Sequence, residues 1–326
     1  MADRRPAGVE VARLAGVSQK TVSRVVNGEP HVSADVRDRV LRAAEELGYR
    51  PNPAARALLT GRNRRVGVVW SGRDLYGPAQ GLVALEHAAR ARGYSISLTA
   101  AGPSGDVTAA VESLLAQGVD GVLIDEPVDD HPLLRHPAPV PVLTTGHGPD
   151  VEGHDWVAAV GAAVRHLLGL GHRTVHHVGG PVDWWTSRDR ARGWREALLD
   201  AGREVPEPLT GDWTAASGYR AGVRLLDDPT VTAVFCANDE MAIGLVRAWV
   251  EAGRRVPQDL SVVGLDDIPA AEFVNPPLTT IRQDFQLAAD LALTRLVDRI
   301  EGRDAPPRPT RSVPSLVVRG STAPPS

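Results

Sequence analysis

What this 326-residue chain lacks bounds it first. It has a single cysteine, Cys236, so no disulfide closes within it. Cys236 lies in the apolar run Val234-Phe235-Cys236-Ala237, the pattern of a buried strand, and a reducing cytoplasm is the default expectation. No uninterrupted apolar run reaches the roughly 20 residues needed to cross a bilayer. MADRRPAGVE shows no apolar stretch after its two arginines, so neither an export signal nor a membrane anchor is expected. A Gly-x-Ser-x-Gly elbow, a Walker loop, a Gly-x-Gly-x-x-Gly turn and metal-ligand spacing are all missing. No enzyme class is signalled, and neither cofactor nor metal is expected. Lysine is nearly absent too: Lys20 is the only one.

What is present is unevenly spread. Residues 1–65 carry 13 Lys and Arg against 7 Asp and Glu, a net of +6, while the remaining 261 residues carry 23 against 33, a net of -10. The overall charge of -4 therefore hides a small basic module ahead of a larger acidic body. Such a module suits a polyanion such as nucleic acid. A chain of this length with 43% hydrophobic residues is expected to fold as two or three units.

Residues 7–49 read as three short helices, Val9 to Ala15, Ser18 to Val26 and Ser33 to Leu47, with Gly16, Gly28 and Gly48 as stops. Ser18 and Ser33 are N-cap residues of the favoured kind. Val11, Leu14, Val17, Val22, Val25, Val36, Val40 and Leu47 are the expected miniature core. After Tyr49 the prolines of Arg50-Pro51-Asn52-Pro53 force extended backbone. Ala54 to Leu59 then has strong helix propensity but too few residues to be stable alone.

From Arg65 onward, short β-branched runs alternate with amphipathic stretches. Strands are expected at Val66 to Ser71, Ser95 to Thr99, Gly121 to Asp125, Val140 to Thr145, Thr174 to Val178, Ala233 to Ala237 and Leu260 to Leu265. Helices are expected at Gly81 to Ala91, Val107 to Ala116, Val157 to Leu170, Asp189 to Ala201, Ala215 to Leu226, Asp239 to Ala252 and Leu287 to Ile300. This βα alternation implies parallel sheets covered by helices on both faces, which bind ligands at the carboxyl ends of their strands. His176 and His177 are adjacent in a strand and so face opposite sides, which argues for packing and against a shared metal.

The string Ala15-Gly16-Val17-Ser18-Gln19-Lys20-Thr21-Val22-Ser23-Arg24-Val25-Val26-Asn27 resembles the helix-turn-helix of the lactose-repressor (LacI/GalR) family. A helix, a glycine turn and a capped second helix place that second helix in the DNA major groove. Gln suits adenine and Lys or Arg suits guanine by donor and acceptor geometry, which singles out Gln19, Lys20 and Arg24. Ser18, Thr21 and Ser33 are assigned to phosphates, and the resemblance adds Asn27. The family usually opens its first helix with Thr or Ser, whereas this chain has Pro6-Ala7-Gly8. The stretch Pro51 to Leu59 is similar to the family's hinge helix, which implies Ala55 and Leu58 at the minor groove, with Leu58 as the wedge.

Further strings carry the likeness through the rest of the chain: Leu170-Gly171-His172-Arg173, Gly179-Gly180-Pro181, Ala237 to Ala242, Ser261 to Asp267 and Pro277 to Phe285. The fold class implied is an all-α helix-turn-helix headpiece plus an α/β, periplasmic-binding-protein-like core of two doubly wound parallel-sheet lobes. Boundaries would fall at 1–50 for the headpiece, 51–64 for the hinge and 65–326 for the core. Lobe 1 would take about 65–158 and 285–312, and lobe 2 about 159–284 and 313–320. The resemblance implies effector contacts at Trp70, Leu75, Pro78, Asp125, Trp184, Arg188, Trp213, Asn238, Asp266, Gln283 and Phe285. A carboxylate can accept from two hydroxyls, Arg and Asn can donate, and an indole offers a flat face to a pyranose.

Trp184 replaces a small polar residue of the family's type member, Asp125 an amide and Gly146 an acid, and Trp185 follows Trp184. The effector is therefore expected to be a glycoside or oligosaccharide, β-galactoside-like or otherwise. The implied function is a cytoplasmic, nucleoid-associated repressor of carbohydrate-utilisation genes, binding double-stranded operator DNA as a homodimer and released by a sugar. No heptad-bearing helix follows Val317, so a tetramer is not expected. The alternatives are a non-sugar effector acting as co-repressor, or a sugar-binding or enzyme domain fused to a helix-turn-helix.

Overall fold

The structure, a computed structural model, describes residues 6–26, 31–50, 61–70, 72–101, 106–125, 138–145, 153–303 and 311–326. The proposed hinge contacts Ala55 and Leu58, together with Asn27 and Gly146, lie outside these. The chain divides into two compact units, Met1–Asn63 and Arg64–Ser326.

In the first unit α1 (Gly8–Ala15), α2 (Gln19–Val26) and α3 (Ala34–Glu46) enclose Val11, Ala12, Ala15, Val22, Val25, Val40 and Ala43. Leu14 does not join them: it is 47% exposed, because the buried stripe of α1 runs through Val11, Ala12 and Ala15. Helix α1 starts without a capping hydroxyl. The Glu10 carboxylate instead accepts from the Ala7 N–H at 2.8 Å, one of the donors a helix start leaves unpaired. Gly16 takes a left-handed conformation (φ 66°) and Val17 N–H donates back to the Ala12 carbonyl, which turns the chain into α2.

The second unit holds two main sheets. The first has the order β2-β1-β3-β4, all parallel, built from β1 (Arg65–Trp70), β2 (Ser95–Ala100), β3 (Gly121–Asp125) and β4 (Val142–Thr144). Strand side chains alternate between the faces. Val66, Val68 and Leu123 pack under α4 (Tyr76–Ala91) and a late helix (Phe285–Glu301), and Val69, Val122 and Ile124 pack under α5 (Val107–Ala116).

After β5 (Gly153–His154) the chain enters the second sheet. That sheet uses β6 (His176–Gly179), β7 (Leu209–Thr210), β8 (Ala233–Cys236), β9 (Ser261–Asp266), β10 (Thr279–Arg282) and β12 (Ser315–Val317), in the order β12-β10-β9-β8-β6-β7. Phe235, Val263 and Leu265 pack against α6 (Trp156–Gly169) and α7 (Trp185–Asp200). Val178, Val234, Cys236 and Val262 pack against α8 (Ala215–Leu225) and α9 (Asp239–Glu251). The late helix is α10, and β11 (Arg311–Ser312) pairs in parallel with β5. The chain thus passes between the sheets three times: through β5, between β10 and α10, and through β11. This is a two-lobed α/β core.

Some differences from the sequence reading have clear causes. The edge strand β12 runs antiparallel to β10, so a βα rhythm gives no sign of either. Helix α4 starts at Tyr76, five residues earlier than expected, because Pro78 falls in its first turn, where no N–H is required. Ser33 occupies the N-cap position of α3, yet its side chain makes no capping bond. His177 is buried, stacked on Phe235 at 5.1 Å and tilted against Trp194 at 5.2 Å, with Nδ1 bonded to the Phe235 carbonyl at 3.0 Å.

Candidate functional site

Two regions collect the chemistry, one in each unit. In the first, Ser18 caps α2: its Oγ accepts from the Thr21 N–H at 3.1 Å and lies 2.9 Å from Thr21 Oγ1. With Val22 and Val25 turned into the core, Gln19, Lys20, Ser23 and Arg24 are left exposed on the outer face of α2. Lys20 and Arg24 stand four residues apart, one turn along the same side. A capped N-terminus with free N–H groups and adjacent cations attracts anions. Ser33 is exposed at the start of α3.

In the second unit a cleft of about 200 Å³ opens at the carboxyl ends of both sheets. One wall is apolar: Leu75, Tyr76, Pro78, Leu85, Phe285 and Ala289 from α4 and α10, with Tyr76 meeting Phe285 edge-on at 6.1 Å. The opposite wall is aromatic, with Trp156, Trp184, Trp185 and Trp213. Between them stand Asp125, Thr145, His154, Arg190, Asn238, Asp266 and Gln283.

Trp213 is the most constrained of these. Its backbone is left-handed (φ 73°), a conformation costing a bulky residue of order 1–3 kcal/mol. The turn is braced by Asn238, whose Nδ2 donates to the Trp213 carbonyl at 2.9 Å while its Oδ1 caps α9 through the Met241 N–H at 3.0 Å. The indole lies against Gly180, where an added Cβ would come within 2.2 Å of the ring. Trp184 meets it at 5.4 Å.

Arg190, buried in the cleft wall, donates to the Ala237 carbonyl at 2.6 Å. Its guanidinium sits 4.8 Å from the Trp156 ring and 5.3 Å from that of Trp213. Desolvated cation–π contacts of this kind contribute about 2 kcal/mol each. Burial lowers its pKa, opposed by Asp266 and Asp239.

Asp266 ends β9 at φ 124°, followed by Asp267 at φ 58°. Burial pushes the Asp266 carboxyl up to about 8, with Arg190 pulling down and Asp239 pushing further up. Gln283 donates from Nε2 to its Oδ1. Asp239, wholly buried, accepts from Ile268 N–H at 2.9 Å and Thr280 Oγ1 at 2.5 Å, and burial raises it to about 6. Asp267 is held by Arg282 at 2.6 Å and Arg319 at 2.7 Å, which fixes the strand end. In the first lobe Asp125 accepts from Thr145 Oγ1, and burial raises its pKa. The cleft can therefore accept and donate hydrogen bonds between apolar platforms. Nε of Arg190 and Nε1 of Trp213 are buried without a partner among the described residues.

Of the residues proposed from sequence, Leu75, Pro78, Asp125, Trp184, Trp213, Asn238, Asp266, Gln283 and Phe285 line this cleft. Asn238 stands there as a brace. Arg188 does not line it: it is exposed, and its Nη1 donates to the Val182 and Asp183 carbonyls at 3.2 and 3.0 Å. Two residues on a helix are separated by about 200°, so Arg190 faces in where Arg188 faces out. The signal was available: the buried stripe Ser187, Arg190, Trp194, Ala197 keeps helical spacing. Trp70 is also absent from the lining. It is half-buried on β1, with the parity of Val66 and Val68, and the turn into α4 supplies the wall instead. Tyr76, Thr145, His154, Trp156 and Arg190 were not read from sequence.

Two family models match the chain: bacterial regulatory proteins of the lacI family over residues 9–52, and a periplasmic binding protein-like domain over 164–322. The lactose operon repressor of Escherichia coli (strain K12) is 37% identical over 332 residues, spanning 97% of this chain and 91% of that protein. The HTH-type transcriptional regulator CelR of Thermobifida fusca is 39% identical over 336 residues, spanning 98% of each. Among solved structures, the lac repressor dimer bound to operator and the anti-inducer ONPF superimposes with a TM-score of 0.84 at 34% identity, covering 98% of this chain and all of that one. A CelR–cellobiose complex gives 0.72 at 36% identity, covering 97% and 100%.

Proposed function

This chain belongs to the lacI family of bacterial regulatory proteins, and from that premise we propose that it is a sugar-responsive transcriptional repressor. The observation that carries the proposal is the pairing, in one polypeptide, of a capped basic helix with a cleft that joins indole platforms to hydrogen-bonding groups. Helix α2 enters the operator major groove, with Gln19, Lys20 and Arg24 toward base edges and Ser18, Thr21 and Ser33 toward phosphates. By resemblance, the segment containing Ala55 and Leu58 reaches the minor groove, and Asn27 adds a further DNA contact.

The effector is a neutral glycoside or oligosaccharide. Trp213 and Trp184 stack on its apolar faces, and Asp266, Gln283, Arg190 and Asp125 meet its hydroxyls. The complex of CelR with cellobiose supports a β-linked disaccharide among the candidates. Two copies of the chain pair to read a two-fold operator, as the dimeric lac repressor does. Sugar closes the cleft, moves the first lobes and separates the two hinge segments. Among the described residues no helix is long and apolar enough to cross a membrane. On this reading the repressor works on the nucleoid, in the cytoplasm, where its operator lies.

Coupling between the two sites is reciprocal, so operator weakens sugar binding by the factor by which sugar weakens operator binding. Titration calorimetry against a saccharide panel, with and without operator duplex, measures that factor. Absence of any saccharide binding, or equal affinity in both conditions, would overturn the proposal.

A further inference from the structure

His154 sits where the chain leaves the first lobe, on β5, which among the described residues pairs only with β11 at the return crossing. Its ring is fixed on two sides. Nδ1 lies 2.9 Å from Ser312 Oγ on β11, and the Trp156 indole meets the ring edge-on at 5.0 Å. With Nδ1 turned to Ser312, Nε2 points away from β11. His154 lines the cleft, and its Nε2 is buried with no hydrogen-bond partner among the described residues. A buried polar atom in that condition is destabilising and calls for an explanation. Because the ring forms part of the cleft wall, a molecule filling the cleft is the partner within reach once the side chains covering Nε2 part.

We propose that His154 is a specificity-determining residue of the cleft, its Nε2 pairing with one hydroxyl of the bound saccharide while its Nδ1 stays tied to Ser312. The inference rests on the saccharide reading above. Burial drives the imidazole pKa down to about 4, with Asp284 pulling it up and Arg190 pushing it down. At neutral pH the ring is therefore uncharged, with one N–H and one lone pair. The Ser312 hydroxyl can donate or accept, so either tautomer satisfies Nδ1, and Nε2 can serve a hydroxyl in either sense. An apolar side chain at 154 would fill the wall equally well but read no hydroxyl.

The test uses the full chain as wild type, His154→Phe, His154→Gln and Ser312→Ala, titrated calorimetrically with glucose, galactose, cellobiose and lactose, then with monodeoxy analogues of whichever sugar binds. The expected result is that His154→Phe weakens the parent sugar roughly 10-fold yet matches wild type for the one analogue lacking the paired hydroxyl. His154→Gln recovers part of the loss, and Ser312→Ala gives a smaller loss with the same hydroxyl dependence. The wild-type His154 Nε2 nitrogen resonance shifts on sugar addition. Wild-type affinity in both His154 variants overturns the assignment while leaving the saccharide reading intact. So does a uniform loss across all analogues with an unmoved resonance. Failure of every sugar to bind wild type overturns the saccharide reading and this inference with it.

Discussion

Replacing Asp266 by asparagine tests the electrostatics of the cleft without any ligand. The residue is 7% exposed and its carboxyl is raised from 3.8 to about 8, chiefly by burial. Because the folded-state value lies above the unfolded one, the folded chain holds one proton more than the unfolded chain between those limits. Asp266 therefore supports folding fully below the unfolded pKa, and that support is lost as pH rises through about 8. Within the window, one extra bound proton gives a slope of about 1.4 kcal/mol per pH unit, so wild type loses roughly 2.7 kcal/mol from this group between pH 5 and pH 7. Asp266→Asn imitates the protonated form and lacks that loss. Its melting temperature relative to wild type should rise by roughly 5–10 °C over the same interval. Calorimetric melts of both proteins at half-unit pH steps measure it. Parallel pH profiles for the two would refute the claim that Asp266 is desolvated and neutral in the empty cleft.

Three further outcomes follow from other contacts. Arg24→Ala should weaken operator binding by about 1–3 kcal/mol and relax base preference if Arg24 reads a base, whereas loss of a phosphate contact would weaken all sequences about equally and reduce the salt slope by about 1; fluorescence anisotropy against operator variants distinguishes these. Gly180→Ala places a methyl within 2.2 Å of the Trp213 ring; the ring must move, tryptophan emission should change, and saccharide affinity should fall at least about 10-fold with the fold retained. Asn238→Ala removes the cap of α9 and the bond to the Trp213 carbonyl. It should lower unfolding stability by about 1–2 kcal/mol in urea titrations, and sugar affinity should fall with it as Trp213 loses its brace.

The parts of the molecule legible in sequence are those set by local rules. Ser18, Gly16 and the spacing of Val22 and Val25 define α2 and its outer face within a dozen residues. The run Gly121 to Asp125 is a strand in the structure as in the sequence, because β-branched residues bounded by turn signals leave little choice. Strand ends project Asp125 and Asp266 toward the cleft for the same reason. What escaped depends on contacts between distant segments. His154 gains its position from a two-residue pairing with Arg311 and Ser312, too short for any periodicity. Arg190 and Arg188 lie on one helix, and only the burial stripe separates them. Asn238 lines the cleft as the resemblance implies, but that its amide also braces a backbone turn 25 residues away could not be read from the sequence. Strand β12 returns antiparallel after a helix, which a βα rhythm cannot announce.

The measurement that bears most directly on the account is selection of binding sites from a randomised duplex pool by the purified full chain at roughly 150 mM salt, followed by titration of the selected duplex with and without sugar. The account predicts an inverted repeat bound at least about 10³-fold more tightly than random duplex, with that preference reduced when a cleft-binding saccharide is added. A pool in which no two-fold symmetric sequence is enriched, or a selected duplex whose affinity no bound sugar alters, would contradict it.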